Sequence, residues 1–406
     1  MGRERYFLIP RRHVPIDPNE WREIDVVLEH APEDDPATVT AFERAVAHYV
    51  AMPDAACINS GRRGMALIFS HLGIGAGDEV IVPAYTLGDL TPLIQDFGAT
   101  VVPADVDPTT FNVTAGTIAP RITERTRAIL VLHSFGTPCE LDPILALAEA
   151  HGLPVVEDAA HGLGATCGDV KMGARGYAGF FSFESTKPVN TYGGGMVVSH
   201  DTGLVERVRA ANSELEYGMG TVADKSGALR TEQRLFRNGL AWPFLLGLAI
   251  PWTRALLKRL YRGSYGTPRA LRYSAFQAGL GLRRMQTLEA RIAQRNHIAE
   301  RYRAGLKPGI RLQEVPAGCR STWYFLVAAL PVDAAPIRRR LLYRFIDTGV
   351  EEEVADDISA LLGRDDCPEA RKLYKRALAL PIYDDIDNTT IDQVVRALNN
   401  LVPDTR

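Results

Sequence analysis

Lys187 is the residue whose surroundings most clearly suggest chemistry. It lies where an apolar run, YAGFFSF, passes into a loop that ends in the glycines Gly193 to Gly195. Partial desolvation at the edge of a buried strand frees an amine as a nucleophile, which suits imine formation with an aldehyde cofactor. The alternative is a lysine whose charged end reaches back to solvent from the end of a strand.

Asp158 and His161 form a second candidate group, in the segment VVEDAAHG. A carboxylate after a buried strand could keep the ring nitrogen of pyridoxal 5'-phosphate (PLP) protonated, so that the ring withdraws electrons from the substrate. His161 could contact the ring face or its phenolic oxygen. Alternatively, Asp158 caps a helix and His161 is an ordinary surface histidine. The alternative is weaker for the pair than for either residue, because both precede the candidate lysine.

A third group lies in NSGRRGMAL, where a strand ends, the chain turns at Gly61 and a helix begins. Backbone N–H groups at a helix start bind anions, and Arg62 and Arg63 could add guanidinium contacts to a phosphate. Ser182, five residues before Lys187, could offer a hydroxyl to the same phosphate. The G-x-x-x-x-G-K-[ST] and G-x-G-x-x-G motifs of nucleotide binding do not follow the first strand.

The composition of the 406 residues favours a globular cytoplasmic protein, and the net charge of -3 gives no reason to expect nucleic-acid binding. The cysteines are odd in number and form no C-x-x-C pair, which predicts free thiols in a reducing compartment and no zinc site. They are Cys57, Cys139, Cys167, Cys319 and Cys367. The N-terminus has no apolar core of signal-peptide length.

Strand and helix patterns alternate between residues 40 and 200, which predicts an α/β fold with a mainly parallel sheet and ligands at the carboxyl ends of its strands. Residues 275–305 read as a long linking helix, and the last helix is expected to begin at Thr389 or Thr390. We therefore predict a large cofactor-binding domain over residues 1–270. The linking helix and a small C-terminal domain would occupy residues 271–406.

Residues 240–261 are strongly apolar and then basic, within an apolar insertion at about 235–265. They could form a buried hairpin or a dimer contact. The alternative is a peripheral membrane anchor, with Trp242 and Trp252 at headgroup level. Lys258, Arg259 and Arg262 would then face lipid phosphates.

Several motifs together resemble the DegT/StrS family of sugar aminotransferases, which are PLP-dependent enzymes of fold type I. They are FERAVAHYVAMPDAACINSG, GAGDEVIVPAYT, FGATVVPADVDPTTFNV, VVEDAAHGLGA, FFSFESTKPVNTYGGGM and LALPIYDDI. The resemblance runs from about residue 42 to the C-terminal helix. It implies a mainly parallel seven-stranded sheet flanked by helices, with a smaller α+β C-terminal domain.

By this resemblance, Lys187 forms the internal aldimine and moves the proton, and Asp158 pairs with the pyridine nitrogen. His161 lies beside the ring, and Gly61, Arg62 and Ser182 hold the phosphate. The reaction that the resemblance implies moves an amino group from glutamate to a nucleotide-linked keto sugar. Its place would be surface polysaccharide or secondary-metabolite biosynthesis, and the enzyme would be a homodimer. Family members that dehydrate sugars carry histidine in place of this lysine.

The sequence also departs from the family pattern. Arg62 and Arg63 replace the usual Thr-Ala of the phosphate turn, and Leu87 stands where a ring-stacking aromatic is expected, with Tyr85 as a nearby substitute. Ala270 replaces an asparagine that contacts the partner's phosphate. These differences indicate a divergent branch. They leave open a PLP-dependent lyase or dehydratase acting on a related sugar, or a non-catalytic regulator, although a regulator would be expected to have lost Lys187 or Asp158.

Overall fold

The computed structural model describes residues 7–30, 34–248 and 270–404. These residues form a large main sheet, a smaller four-stranded sheet and short two- and three-stranded pairings. The strands are β1 Asp54–Ile58, β2 Glu79–Pro83, β3 Tyr85–Thr86, β4 Thr100–Ala104, β5 Thr126–Leu132, β6 Val155–Asp158, β7 Thr166–Cys167, β8 Val170–Lys171, β9 Ala178–Ser182, β10 Gly195–Ser199, β11 Arg311–Leu312, β12 Cys319–Arg320, β13 Leu326–Ala329, β14 Gly349–Val350, β15 Asp356–Asp357 and β16 Ala377–Leu380.

The main sheet has seven strands in the order β1-β10-β9-β6-β5-β2-β4. The pairs β2–β4, β2–β5, β5–β6 and β6–β9 are parallel, whereas β10 runs antiparallel to both of its neighbours. Because β1 and β9 both oppose β10, they run in the same direction. The carboxyl ends of β1, β2, β5, β6 and β9 therefore meet at one edge. The predicted mainly parallel sheet of seven strands is confirmed.

Helices of the described residues cover both faces of this sheet, and others pack against the smaller sheet or against other helices. They are α1 Pro18–Glu29, α2 Pro36–Tyr49, α3 Gly61–His71, α4 Leu90–Gln95, α5 Ala115–Ile118, α6 Leu141–Ala150, α7 Thr202–Ser213, α8 Gly220–Arg237, α9 Ala241–Leu248, α10 Ala275–Met285, α11 Leu288–Gly305, α12 Ala334–Leu342, α13 Ile358–Leu361, α14 Pro368–Arg376 and α15 Asn388–Leu401. Alternate strand residues point to opposite faces. Ile58 and Val197 accordingly pack in the cluster that contains residues of α3 and α7, whereas Cys57 and Val198 pack with α2 and α10.

The smaller sheet has the order β11-β13-β16-β14 and packs against α11, α12 and α15 around a separate apolar cluster. Residues near the N-terminus join this cluster, because Ile9 bridges to Ile346. The confirmed α/β architecture thus includes the smaller C-terminal unit. The division at residue 270 stays a prediction.

Two helix predictions need correction. The stretch 275–305 forms two helices, α10 and α11, separated by Gln286 and Thr287. The last helix is capped by Asp387 rather than by Thr389 or Thr390, since the Asp387 carboxylate accepts a hydrogen bond from the Thr390 backbone N–H at 2.7 Å. A carboxylate at the helix start also complements the helix dipole.

The prediction of five free thiols is wrong for two of them, because Cys167 and Cys319 form a disulfide. The two residues lie directly opposite each other in the antiparallel pair β7–β12, although 152 positions separate them in the chain. Sequence spacing therefore gave no sign of the pairing. Cys57, Cys139 and Cys367 are buried and free.

The apolar segment 240–261 is described only as far as residue 248, so Trp252, Lys258, Arg259 and Arg262 lie outside the described residues. Trp242, in α9, donates its indole N–H to the Leu342 carbonyl at 2.7 Å, which fixes this helix against α12. Within the described ranges, the helices are too short or too polar to cross a membrane.

Candidate active site

Lys187 lies in the loop between β9 and β10, and its side chain is buried. The loop folds back on itself, since the backbone N–H groups of Thr191 and Gly193 both donate to the Phe183 carbonyl. Gln277 of α10 donates to the carbonyls of Thr191 and Gly193 at 3.1 and 3.2 Å. The Lys187 amine lies 4.0 Å from the ring centroid of Tyr324. Because the amine is directed at this ring and the residue is buried, the alternative of a lysine that reaches solvent is wrong.

Asp158 ends β6, next to β9, and is 5% exposed. Its carboxylate accepts one hydrogen bond, from the Ala160 N–H at 2.9 Å. Burial raises its pKa to about 6, against the opposing effects of that hydrogen bond and of the charge on Lys187. A buried carboxylate with so little local compensation is energetically suited to a cationic partner such as a protonated ring nitrogen.

His161 stands between aromatic rings at the same edge of the sheet. Its imidazole stacks on Tyr324 at a centroid distance of 4.2 Å and on Phe135 at 6.3 Å. Burial, together with the charge of Lys187, lowers its pKa, so the ring is neutral near neutral pH. Its Nδ1 atom is buried without a hydrogen-bond partner. A neutral imidazole with a free ring nitrogen could contact a polar group of a cofactor.

Gly61 and Ser182 lie side by side at the start of α3. A Cβ added to Gly61 would lie 3.6 Å from the Ser182 Cβ and 3.2 Å from the Phe181 carbonyl oxygen. At Gly195, opposite Ser182 in the sheet, an added Cβ would come 2.5 Å from the Gly61 nitrogen. Glycines thus allow this helix start to pack closely against β9 and β10. The backbone N–H groups of its first turn are the candidates for binding an anion.

Arg62 lies in the first turn of the same helix, but its guanidinium lies on the surface. The side chain is 61% exposed and pairs with Asp89 at 2.8 Å. Its backbone N–H belongs to the helix start, whereas Ser60 caps the helix by accepting from the Arg63 N–H. A phosphate contact from the Arg62 side chain stays a prediction, and the backbone is the better placed donor.

The residues present fit PLP. Several polar atoms are buried without a partner in segments that follow the carboxyl ends of β1, β2, β6 and β9. They are Asn59 Oδ1, the Tyr85 hydroxyl, Thr86 Oγ1, His161 Nδ1, Ser185 Oγ and Asn190 Nδ2. Unpaired buried polar atoms are costly and call for a ligand or ordered water. A lysine, a buried aspartate and the backbone N–H groups of a helix start match the aldehyde, ring nitrogen and phosphate of this cofactor.

The choice between Tyr85 and Leu87 as ring neighbour stays a prediction. Tyr85 is buried, and its ring meets Phe135 edge-on at 6.0 Å. Leu87 is 47% exposed.

Two residues near the candidate site were not predicted from the sequence, Tyr324, which lies against the Lys187 amine, and Asp384. Tyr324 precedes β13, and its hydroxyl lies 2.8 Å from Thr186 Oγ1. Asp384 follows Tyr383 in the LPIYDDI segment and accepts from Arg291 and Arg295 of α11. The segment was recognised, but the role of its aspartate depends on contacts between residues far apart in the chain.

Fold and site together define a PLP-dependent transferase of fold type I. The model of the DegT/DnrJ/EryC1/StrS aminotransferase family matches residues 16–399, and the chain belongs to this family. It is therefore a PLP-dependent aminotransferase, as the resemblance implied.

Similar proteins point the same way. The spore coat polysaccharide biosynthesis protein SpsC of Bacillus subtilis is 28% identical, over 99% of each chain. GDP-perosamine synthase of Caulobacter vibrioides is 40% identical over 42% of this chain and 46% of its own. The solved aminotransferase TlmJ of Streptoalloteichus hindustanus shares the fold, with a TM-score of 0.76, 24% identity, and coverage of 97% of this chain and 98% of its own.

Proposed function

We propose that this aminotransferase moves an amino group from glutamate to a nucleotide-linked keto sugar, in surface polysaccharide or secondary-metabolite biosynthesis. The observation that carries the proposal is a buried amine at Lys187 whose charge acts on a buried, under-compensated carboxylate at Asp158. The names of SpsC and GDP-perosamine synthase support a sugar acceptor.

Each site residue has a distinct role in this proposal. When bound, PLP supplies an aldehyde for imine formation and a ring that accepts electrons from the substrate's amino carbon. Lys187 would hold the cofactor through its amine, and the same amine would take a proton from the substrate's amino carbon and return it during amino transfer. Asp158 would keep the ring nitrogen protonated, and His161 would lie beside the ring. The backbone at Gly61 and Arg62, with the Ser182 hydroxyl, holds the phosphate.

The experiment is a spectral and product assay of the PLP-loaded protein with glutamate and a panel of nucleotide-linked keto sugars. We expect one acceptor to give an amino sugar and 2-oxoglutarate in equal amounts. Sugar conversion without 2-oxoglutarate would instead identify the lyase or dehydratase alternative. Absence of turnover with every acceptor, despite a bound cofactor, would favour the regulator.

We propose a homodimer as the working form. Leu87 and Leu361 are 47% and 60% exposed, and Gly88 brings them together, since a Cβ there would lie 3.0 Å from Leu361. Exposed apolar side chains next to a cofactor site suit an interface with a second copy. Light scattering should give twice the chain mass, and Leu361→Asp should shift it toward one chain. A monomeric parent protein would refute the proposal.

A membrane contact is proposed for an aromatic patch, which we define as Phe7, Leu240, Phe244, Tyr343 and Phe345. Each side chain is at least 39% exposed. Phe345 joins the patch to Phe7 at 4.9 Å and to Trp242 at 5.6 Å. The patch continues along the chain into the apolar and basic residues after 248, which favours an anionic lipid surface over a purely apolar partner.

Flotation with anionic and neutral vesicles tests this contact. Parent protein should float with anionic vesicles, and Leu240→Ser with Phe244→Ser should not. Val26→Ser with Leu28→Ser, which changes two exposed apolar side chains of α1, serves as the matched control. Failure of the parent protein to float would refute the contact.

We propose the cytoplasm as the location. The argument that free thiols indicate a reducing compartment now applies only to Cys57, Cys139 and Cys367, because Cys167 and Cys319 form a disulfide.

A further inference from the structure

Tyr324 brings the smaller sheet into contact with the reactive lysine. The Lys187 Nζ atom lies 4.0 Å from the centroid of the Tyr324 ring, and both side chains are only 8% exposed. An ammonium over the face of an aromatic ring is attracted by the ring's negative face, and more strongly when water is excluded. This geometry therefore favours the charged amine at one fixed place.

The Tyr324 ring is held by its own neighbours. Its hydroxyl lies 2.8 Å from Thr186 Oγ1, on the residue before the lysine. His161 stacks on the ring at 4.2 Å, and Phe325 lies 4.4 Å away. The ring is consequently fixed relative to both the lysine loop and the segment that follows Asp158.

Its backbone is fixed as well. Trp323 adopts a φ of 48°, a left-handed conformation that costs energy in a large side chain and persists only where surrounding contacts enforce it. The carbonyl of Trp323 accepts from Arg295 at 3.0 Å. The carbonyl of Pro188, the residue after the lysine, accepts from Arg291 at 2.5 Å.

Asp384 joins these two arginines. Its carboxylate accepts from Arg291 at 2.5 Å and from Arg295 at 2.7 Å, and it is largely buried. Asp384 therefore holds both arginines, which in turn bind the carbonyls of Trp323, before Tyr324, and of Pro188, after Lys187. We call Asp384, Arg291 and Arg295 the arginine clamp.

We propose that Tyr324 is a positioning residue of the active site, whose ring face holds the charged amine of Lys187 and whose place is set by the arginine clamp. The inference rests on the proposed role of Lys187 as the reactive amine. Through this contact, the smaller sheet fixes the place of the amine, and removing the ring face should make the amine more reactive toward electrophiles at a given pH. The charges of Lys187 and Arg12 also lower the pKa of the Tyr324 phenol, although burial by itself raises it.

The test uses the cofactor-free full-length protein. Brief amidination with methyl acetimidate over a series of pH values, followed by peptide mass spectrometry, gives the pH midpoint at which Lys187 becomes reactive. Tyr324→Leu removes the ring at similar bulk, and should lower this midpoint by about one pH unit, a tenfold gain in free amine at a given pH. Tyr324→Phe keeps the ring face and loses only the hydroxyl, so it should move the midpoint by clearly less than Tyr324→Leu does.

The chain offers a matched internal control. Lys171 lies 4.2 Å from the ring centroid of Tyr49, away from this site, and its peptide is read in the same digest. Tyr49→Leu should move the Lys171 midpoint and leave that of Lys187 unchanged. If Tyr324→Leu does not fold, Thr186→Val, which frees the phenol, should move the Lys187 midpoint in the same direction by a smaller amount.

An unchanged or raised Lys187 midpoint in the folded Tyr324→Leu variant would overturn the inference. It would also be overturned if Tyr49→Leu shifted the Lys187 midpoint as much as Tyr324→Leu does. The labelling requires neither cofactor nor substrate. A lowered midpoint in a protein that fails to transfer amino groups would therefore contradict the proposed function alone.

Discussion

Glu157 and Asp158 are adjacent carboxylates on β6, yet they lie in opposite kinds of surroundings. Glu157 accepts backbone hydrogen bonds from Gly173, Arg175 and Gly176 at 2.6–2.7 Å, and its Oε2 atom lies 3.0 Å from His133 Nε2. The Cys139 N–H donates to His133 Nδ1, so Nε2 carries the proton and donates to Glu157. Asp158 accepts a single hydrogen bond, from Ala160.

The difference separates a carboxylate of the scaffold, Glu157, from one of the candidate active site, Asp158. Burial alone would raise the pKa of Glu157, but His133 and the backbone donors hold it below its ordinary value. Burial does raise the pKa of Asp158, to about 6. A buried carboxylate with every oxygen satisfied stabilises the fold, whereas one with a vacant acceptor is available to a ligand.

Asp158→Asn should have the largest effect on activity. Asparagine cannot hold a proton on the ring nitrogen by charge, so turnover should fall on the order of 10²–10³-fold, as for other charge-stabilising groups in active sites. Stability of the cofactor-free protein should be unchanged or higher, because a poorly compensated buried carboxylate is removed. Steady-state kinetics and thermal melting measure the two effects; a stable variant with full turnover would break the comparison.

Glu157→Gln should affect stability instead. The amide cannot accept from every donor that now meets the carboxylate, which leaves buried N–H groups unpaired at a cost of about 2–3 kcal/mol. Urea unfolding measures this loss. Turnover per bound cofactor should change little in the folded protein. A large loss of turnover without loss of stability would show that Glu157 belongs to the site.

The pH dependence of stability should have opposite signs at the two carboxylates. The pKa of Asp158 is higher when folded, so its contribution is full below about pH 4 and is lost as pH rises through about 6. The loss amounts to about 3 kcal/mol. The lowered pKa of Glu157 gives a contribution present above the ordinary glutamate range and lost as pH falls.

Unfolding free energies of the cofactor-free parent protein and of both variants, measured from about pH 4 to pH 7, test these signs. The unfolding free energy of the parent protein minus that of Asp158→Asn should fall as pH rises. The same difference taken against Glu157→Gln should increase. Parallel curves would mean that the two carboxylates do not differ as described.

Arg62→Ala should give the smallest effect. The guanidinium is solvent-exposed and paired with Asp89, and such surface pairs contribute little. PLP affinity should therefore change by no more than about twofold, because the alanine keeps the backbone N–H. Asp89→Asn, which frees the guanidinium, is the matched control. A tenfold loss of affinity in Arg62→Ala would establish the side-chain contact to phosphate that the sequence suggested.

Sequence reasoning went furthest where chemistry follows directly after a buried strand. The alternation of β-branched strands and amphipathic helices predicted the parallel sheet, which is confirmed. The end of β6 and the loop after β9 led to the prediction of Asp158 and Lys187 as site residues. These predictions depend on local patterns, and on the rule that parallel strands present their carboxyl ends at one edge.

The remaining features depend on contacts between distant residues. The Cys167–Cys319 pair, the arginine clamp and the Tyr324 ring over Lys187 each join residues more than 80 positions apart. Arg62 shows that a local motif does not fix where a side chain points. Arg62 lies in a turn typical of phosphate binding, but its guanidinium extends along the surface to Asp89. Side-chain direction at a helix start depends on the charges that fold next to it, here Asp89.

Borohydride reduction of the PLP-loaded protein, followed by peptide mapping, tests the identity of the reactive amine most directly. We predict a single phosphopyridoxyl group on the peptide that contains Lys187, and no such group in Lys187→Ala. A label on another lysine, or no label on a protein that binds the cofactor, would contradict the account.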